Sequence, residues 1–157
     1  MIRLSRMADY GIVMMTQLAT RPGQFVTAPD ISLATGLPVP TVSKILKRLA
    51  HAGLLDSQRG AKGGYALLRD AANVPMTEII AAVDGPIALT DCTVPSDGAC
   101  DFEALCPTRT NWRKINDAVV AALSTITLAD MTLPSPSFLP MMPVPVLARP
   151  VADERGA

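Results

Sequence analysis

Residues 41–52 read Thr-Val-Ser-Lys-Ile-Leu-Lys-Arg-Leu-Ala-His-Ala and decide how the surrounding chain folds. Their apolar side chains recur every three or four residues, which places them on one face of an α-helix: Val42, Ile45, Leu46 and Leu49. The opposite face carries hydroxyls and cations: Thr41, Ser43, Lys44, Lys47 and Arg48. The stretch therefore predicts an amphipathic helix with one buried face and one basic face, ending at Gly53.

Two flanking segments make this helix part of a larger motif. Upstream, Ala28-Pro29-Asp30 opens a short helix that stops at Gly36, because proline suits the first turn of a helix. Downstream, residues 54–59 and 65–68 have the composition of two strands joined by a glycine-rich turn. The order of helix, turn, helix and hairpin predicts a winged helix-turn-helix, a mainly α fold with a small β-hairpin wing.

The basic surface of this motif is suited to double-stranded DNA. A major groove admits an α-helix, and residues near the N-terminus of that helix reach base edges. We expect the DNA-contacting residues to lie on the outer face of the helix and at the tip of the wing: Thr41, Ser43, Lys44, Lys47, Arg48, Arg59 and Lys62. Glycines around the wing cations let the backbone approach DNA closely, and an arginine can enter a narrow minor groove. The simpler alternative is a solvated helix face beside an ordinary hairpin.

All three cysteines of the chain lie in one acidic, turn-rich loop: Cys92, Cys100 and Cys106. Thiolates hold iron–sulfur clusters, and the gaps of seven and five residues differ from the Cys-x2-Cys pairs of zinc ribbons. A cluster or metal site is therefore favoured over incidental thiols, with an iron-free thiol switch or a zinc site as the alternative. A nucleophilic cysteine is disfavoured because the neighbouring acids should raise the thiol pKa. The single histidine, His51, ends the basic helix and is expected at the surface or towards DNA, and no enzyme activity is predicted.

The sequence resembles the bacterial winged-helix iron–sulfur cluster regulators of the IscR, NsrR and RirA type, and most closely the branch that controls SUF cluster-assembly genes. The resemblance covers about residues 1–131. Its matching stretches are residues 1–4 with Asp9 and Tyr10, residues 49–55, the wing Arg-Gly-Ala-Lys-Gly-Gly-Tyr at 59–65, the three cysteines and the helix from 112 to 131. It implies a homodimer whose long C-terminal helices cross. It also implies a cluster bound by Cys92, Cys100 and Cys106, whose occupancy sets DNA affinity.

The fourth cluster ligand departs from part of this family. Members similar to IscR have a histidine three residues after the last cysteine, where this chain has Arg109. Members similar to NsrR use an acid near the N-terminus of the partner subunit, and the matching position here is Asp9. Glu103, solvent or a small molecule are the alternatives. Three cysteines with one labile iron favour a [4Fe–4S] cluster over a [2Fe–2S] cluster. Ser43 stands where IscR has a glutamate that helps select DNA sites, so the resemblance does not carry over an operator preference.

The chain divides into four predicted segments. Residues 1–85 form the DNA-binding domain, 86–107 the cluster-binding loop, 108–131 a dimerisation helix and 132–157 a proline-rich tail that we expect to be mostly unstructured. Within the last helical segment, the periodicity predicts one long helix from residue 108 to about 128, with one apolar stripe: Trp112, Ile115, Val119, Leu123 and Ile126. No apolar run is long enough for a membrane span, so we expect no membrane partner. The odd cysteine count favours a reducing cytoplasm.

Overall fold

The computed structural model describes residues 3–60, 63–94 and 105–132, a mainly helical structure with one two-stranded antiparallel hairpin. The elements within these residues follow in the order α1 (Arg6–Ala19), α2 (Ala28–Thr35), α3 (Val39–His51), β1 (Leu55–Gln58), β2 (Gly64–Leu67), α4 (Met76–Asp84), α5 (Arg109–Ser124) and α6 (Leu128–Thr132). Two short 3-10 turns lie at Ala71–Asn73 and Asp91–Thr93. This arrangement confirms the predicted fold class, including the hairpin wing.

The first two helices begin and end where local sequence chemistry requires. The Ser5 hydroxyl caps α1 by accepting a hydrogen bond from the Ala8 N–H at 3.0 Å. Thr27 caps α2, and Pro29 lies in the first turn of that helix as predicted. Gly36 ends α2 with a φ of 71°, a left-handed conformation that favours glycine.

The stripe of α3 is the centre of the core. Its four predicted apolar residues are all fully buried: Val42, Ile45, Leu46 and Leu49. Helices α1, α2 and α4 pack around α3, and β1 follows it directly. The helix begins at Val39, two residues before the predicted start, with Pro40 in its first turn and Pro38 as the cap residue. The predicted amphipathic helix is confirmed, and its polar face is left towards solvent.

The hairpin is anchored to the body by backbone contacts that only glycine permits. Strands β1 and β2 pair from Leu55 opposite Leu67 to Gln58 opposite Gly64. Val26 pairs with Tyr65 on the other side of β2 through two backbone hydrogen bonds of 3.0 and 2.9 Å. A Cβ added to Gly64 would lie 2.6 Å from the Val26 carbonyl oxygen, and the φ of Gly64 is already 149°. This wing glycine therefore has a role inside the fold, whether or not the wing also approaches DNA.

The prediction of one continuous helix over 108–128 was wrong. Helix α5 ends at Ser124, and the next residues pair with the segment that precedes α4 instead. The Met76 N–H donates to the Ile126 carbonyl at 2.9 Å, and the Leu128 N–H donates to the Val74 carbonyl at 2.8 Å. These hydrogen bonds use backbone groups that a continuous helix would have used internally. Three consecutive β-branched residues, 125–127, lower the cost of leaving the helix.

The predicted apolar stripe of α5 is largely on the surface of the single chain. Trp112, Ile115 and Ile126 are 39%, 46% and 40% exposed. Among the residues of α5, Asn116 is the one that is buried. The helix packs against α4 and the turn Asp91–Thr93, and most of its apolar side chains are not covered by these contacts. Val119 and Leu123 are partly buried, and Leu123 packs against the core, so the predicted stripe is divided between the core and the surface.

Candidate nucleic-acid interface and cysteine loop

The outer face of α3 carries four of the predicted DNA-contacting residues. Lys44 and Lys47 are exposed, and Thr41 and Ser43 are partly exposed. The first turn of α3 contains no acidic residue, and no side chain caps its N-terminal N–H groups. The positive end of the helix dipole is thus open on the same surface as the lysines. The partial positive charge of the α3 N-terminus and the charged lysine side chains therefore lie on one surface, which suits the binding of phosphates.

The wing is held in a fixed relation to α3. The Leu54 N–H donates to the Leu49 carbonyl at 3.0 Å, and the Leu68 N–H donates to the Leu54 carbonyl at 3.2 Å. These bonds connect the C-terminal end of α3 to both sides of the hairpin. Arg59 is exposed just after β1, at the start of the wing tip. Lys62, the other predicted wing cation, lies outside the described residues.

Arg48 has a partner inside the protein that the sequence did not indicate. Its Nη1 donates a hydrogen bond to the Val83 carbonyl at 2.6 Å, across 35 residues of chain. Val83 lies in the last turn of α4, where carbonyl groups lack helical partners and the helix dipole is negative. Arg48 is one of the residues predicted to contact DNA. In the structure one of its N–H groups instead joins α3 to the end of α4.

The end of α4 also contacts the start of α1. The Ser5 hydroxyl donates to the Asp84 carboxylate at 2.7 Å while it caps α1. Asp9, the predicted fourth ligand from the partner subunit, lies in the first turn of α1 with an exposed side chain. The predicted ligation involves a second copy of the chain, so the single chain neither confirms nor contradicts it.

Cys92 is presented by a tightly bonded 3-10 turn. It is 8% exposed, and its Sγ lies 3.2 Å from the Thr90 hydroxyl. The Thr93 hydroxyl closes the turn through the Thr90 backbone: it accepts from the Thr90 N–H at 3.2 Å and donates to the Thr90 carbonyl at 2.7 Å. The position of this thiol is thus set by the protein's own hydrogen bonds.

Cys106 lies at the other end of the loop, three residues before α5. The Thr108 side chain, at 3.4 Å, and the Thr108 backbone lower the pKa of the Cys106 thiol, with smaller contributions from the backbone and charge of Arg109. Sequence analysis expected nearby acids to raise thiol pKa values, and for Cys106 this expectation was wrong. The hydrogen bonds of Thr108 are the largest contributions to the shift of this pKa. A lowered pKa favours the thiolate, which is the form that binds metals.

The described part of the loop supplies two of the three predicted cysteine ligands. Cys92 and Cys106 are both free thiols. Cys100 and the alternative ligand Glu103 lie outside the described residues, and the described ranges alone contain no group of three or more potential metal ligands. The donor chemistry fits a cluster site: one thiol is buried and fixed, and the other has its thiolate stabilised by hydrogen bonds.

Asn116 was missed by sequence analysis. It is 7% exposed, its Oδ1 accepts from the Leu89 N–H at 3.0 Å, and its Nδ2 donates to the Ile87 carbonyl at 3.3 Å. It also borders an open cleft of about 240 Å³ beside Cys92. The sequence feature that could have identified Asn116 was its polar side chain beside Ile115, on the apolar side of the predicted helix. Its backbone partners could not be read from that pattern.

Comparisons with known proteins agree with this architecture. The profile of the Rrf2 family, described as iron-dependent transcriptional regulators, matches residues 4–133. The chain belongs to the Rrf2 family of transcriptional regulators. It is 32% identical over 132 residues to the HTH-type transcriptional regulator IscR of Escherichia coli, covering 83% of this chain and 80% of IscR.

Two solved structures of similar proteins have the same fold. CymR, the global cysteine regulator of B. subtilis, has a TM-score of 0.65 and 28% identity, over 84% of this chain and 97% of CymR. IscR of T. potens has a TM-score of 0.63 and 30% identity, over 83% of this chain and 85% of that IscR. Family membership makes this chain a DNA-binding transcriptional regulator and not an enzyme. No helix in the described residues is long and apolar enough to cross a membrane.

The Arg48 contact predicts that Arg48 contributes more to the stability of the fold than its neighbour Lys47 does. Arg48→Ala should lower the free energy of unfolding by about 1 kcal/mol, because it removes a charge-assisted, partly buried hydrogen bond. Lys47→Ala, at the neighbouring exposed position, should change it by less than about 0.5 kcal/mol. Urea denaturation of both variants measures the difference. Equal stability of the two variants would show that the Arg48–Val83 bond does not contribute to holding α3 against α4.

Proposed function

We propose that this regulator senses an iron–sulfur cluster and changes its affinity for DNA accordingly. Cys92, Cys100 and Cys106 would hold the cluster, with Asp9 of a second copy as fourth ligand. A [4Fe–4S] cluster is preferred over a [2Fe–2S] cluster. The observation that carries the proposal is the state of the two described thiols: Cys92 is buried in a bonded turn, and the Cys106 thiolate is favoured by Thr108. When bound, such a cluster supplies an iron site that can be lost or attacked, which suits a sensor.

The proposed DNA contact uses α3 and the wing. Thr41, Ser43 and Lys44 would face bases near the N-terminus of α3, while Lys47 would contact a phosphate. Arg59 and Lys62 of the wing would approach an adjacent groove or phosphate. Arg48 would contribute only the guanidinium N–H groups that Val83 does not occupy. The exposure of Lys44, Lys47 and Arg59, together with the uncapped start of α3, supports this assignment.

The proposed active form is a homodimer paired through α5. The exposed side chains of Trp112 and Ile115 give α5 an apolar surface of the kind that helix pairing buries. A dimer would also carry two copies of α3 to two DNA half-sites, whose centres lie about one helical turn apart in this class of protein. It would bring Asp9 of each copy within the reach of its partner, as the fourth-ligand proposal requires.

The proposed coupling runs through the end of α4. Arg48 of α3 bonds to Val83, and the cysteine loop begins just after Asp84. A change in the order of the loop would therefore act on the residues that hold α3 in place. Release of a loop rich in carboxylates near a phosphate-binding surface would also disfavour DNA. The resemblance of the wing and the cysteines to the SUF branch supports iron–sulfur assembly genes as targets and the cytoplasm as the site of action.

A second candidate function keeps the DNA-binding fold and replaces the cluster with a thiol redox switch or a zinc site. The lowered pKa of the Cys106 thiol is compatible with this alternative as well, because thiolates react with oxidants and also bind metals. The buried position of Cys92 favours a ligand over a reactive thiol.

The proposed phosphate contacts predict a specific salt dependence. In a plot of log affinity against log salt concentration, Lys47→Ala should reduce the slope by about 0.9, the value expected for one lost phosphate contact on duplex DNA. Lys44→Ala removes a proposed base contact, so it should weaken binding with a smaller change in slope. Lys114→Ala, an exposed cation on α5, should leave the slope unchanged. Fluorescence anisotropy on a genomic fragment upstream of the protein's own gene measures all three. An unchanged slope in Lys47→Ala would contradict the proposed phosphate contact of α3.

The cluster proposal predicts the iron content of the purified protein. Anaerobically purified protein should be brown and contain about four iron and four sulfide ions per cluster site, the content of a [4Fe–4S] centre. About two of each would move the assignment to a [2Fe–2S] centre. Cys92→Ser should abolish the colour, whereas Ser57→Ala, an exposed hydroxyl of the wing, should not. Colourless, iron-free protein that still binds DNA would contradict the cluster and favour the thiol or zinc switch.

A further inference from the structure

Helix α5 contains one buried polar side chain, and both of its hydrogen bonds go to the cysteine loop. The Asn116 Oδ1 accepts from the Leu89 N–H, and its Nδ2 donates to the Ile87 carbonyl. An extended segment presents the carbonyl of one residue and the N–H of the second residue after it on the same side. A primary amide offers one acceptor and two donors, so it can satisfy both groups as a neighbouring strand would. Asn116 thus fastens a segment without regular structure to a helix.

This fastening lies directly upstream of the first cysteine. Leu89 is followed by Thr90, whose hydroxyl lies 3.2 Å from the Cys92 sulfur and whose backbone caps the turn Asp91–Thr93. A displacement of Leu89 would therefore move the whole bonded unit that presents Cys92. The same turn also packs against α5, so the helix and the turn are in direct contact beside the Asn116 hydrogen bonds.

The second described cysteine is attached to the same helix through the chain itself. Cys106 precedes the first residue of α5 by three positions, and the Arg109 N–H donates to the Cys106 carbonyl at 3.4 Å. Helix α5 therefore carries Cys106 through its backbone and Cys92 through the side chain of Asn116. The relative position of the two thiols is set by one rigid element.

We propose that Asn116 is a positioning residue that fixes the Cys92 turn to α5, so that two of the thiol ligands are in place before a cluster binds. The cluster-binding part of this inference rests on the proposed function; the fastening of Cys92 does not. If these buried hydrogen bonds had only a structural role, their removal would destabilise the whole protein and would not act on one thiol alone. A positioning role predicts that Cys92 is released selectively while Cys106 is unaffected.

The test measures thiol reactivity in reduced, iron-free, full-length protein. After timed alkylation with iodoacetamide, cleavage on the N-terminal side of Asp91, Asp97, Asp101 and Asp117 separates the three cysteines into different peptides for mass spectrometry. Asn116→Ala should accelerate alkylation of Cys92 on the order of tenfold, because the turn opens more often once its two hydrogen bonds are lost. Alkylation of Cys106 should change by less than about twofold, the effect of a small surface perturbation.

Two further variants make the result specific. Asn116→Leu keeps the branched shape of the side chain, with a somewhat larger volume, and cannot form hydrogen bonds. It should therefore behave like Asn116→Ala if the side-chain hydrogen bonds hold Cys92 in place. Asn111→Ala removes the same side chain from an exposed position of α5 and should leave all three rates unchanged. Far-ultraviolet circular dichroism on each variant shows that the helices are retained.

The outcomes separate this inference from the proposed function. Unchanged Cys92 reactivity in both Asn116 variants would overturn the positioning role, as would an equal acceleration at Cys92 and Cys106. If the wild type never binds a cluster but Asn116→Ala still exposes Cys92 selectively, the cluster proposal is contradicted. The proposal that Asn116 fixes the Cys92 turn to α5 is then still supported. If a cluster is bound, its absorbance should decay on the order of tenfold faster under a chelator in Asn116→Ala than in the Asn111→Ala control, as for the thiol.

Discussion

Burial of the α3 stripe is the constraint on which the rest of the structure depends. Its four apolar side chains are fully buried, and each such burial contributes about 1.5–3 kcal/mol. Together they contribute roughly as much as the entire net stability of a small domain. Helices α1, α2 and α4 have to pack on this stripe, so the opposite face of α3 is left in solvent. The basic surface proposed to contact DNA is therefore a direct consequence of how the core forms.

The cysteine loop is connected to this core at both of its ends. At its start, the last turn of α4 is bonded to α3 by Arg48 and to the start of α1 through Asp84. At its end, α5 carries Cys106 and holds the Cys92 turn through Asn116. These contacts join the proposed sensor to the proposed DNA-binding surface through hydrogen bonds between rigid elements. They provide a physical route for the coupling, and the DNA affinities of the cluster-loaded and cluster-free protein measure its strength.

Features determined by local sequence could be predicted, and features determined by distant backbone groups could not. The stripe of α3, the glycine that ends α2 and the two strands of the wing all follow from periodicity and turn chemistry. The end of α5 depends on pairing with Val74 and Met76, about fifty residues earlier in the chain. The roles of Arg48 and Asn116 depend on carbonyl groups that no side-chain pattern reveals. The thiol pKa of Cys106 was misjudged because counted charges were given more weight than one adjacent hydroxyl.

The most direct test of the account compares the DNA affinity of cluster-loaded and cluster-free protein. Both forms would be titrated against the same duplex, from the region upstream of the protein's own gene, at matched salt concentration. The account predicts that the loaded form binds at least about tenfold more tightly, within the usual range of coupling between two sites. Equal affinity of the two forms would contradict the proposed link between the cysteine loop and α3.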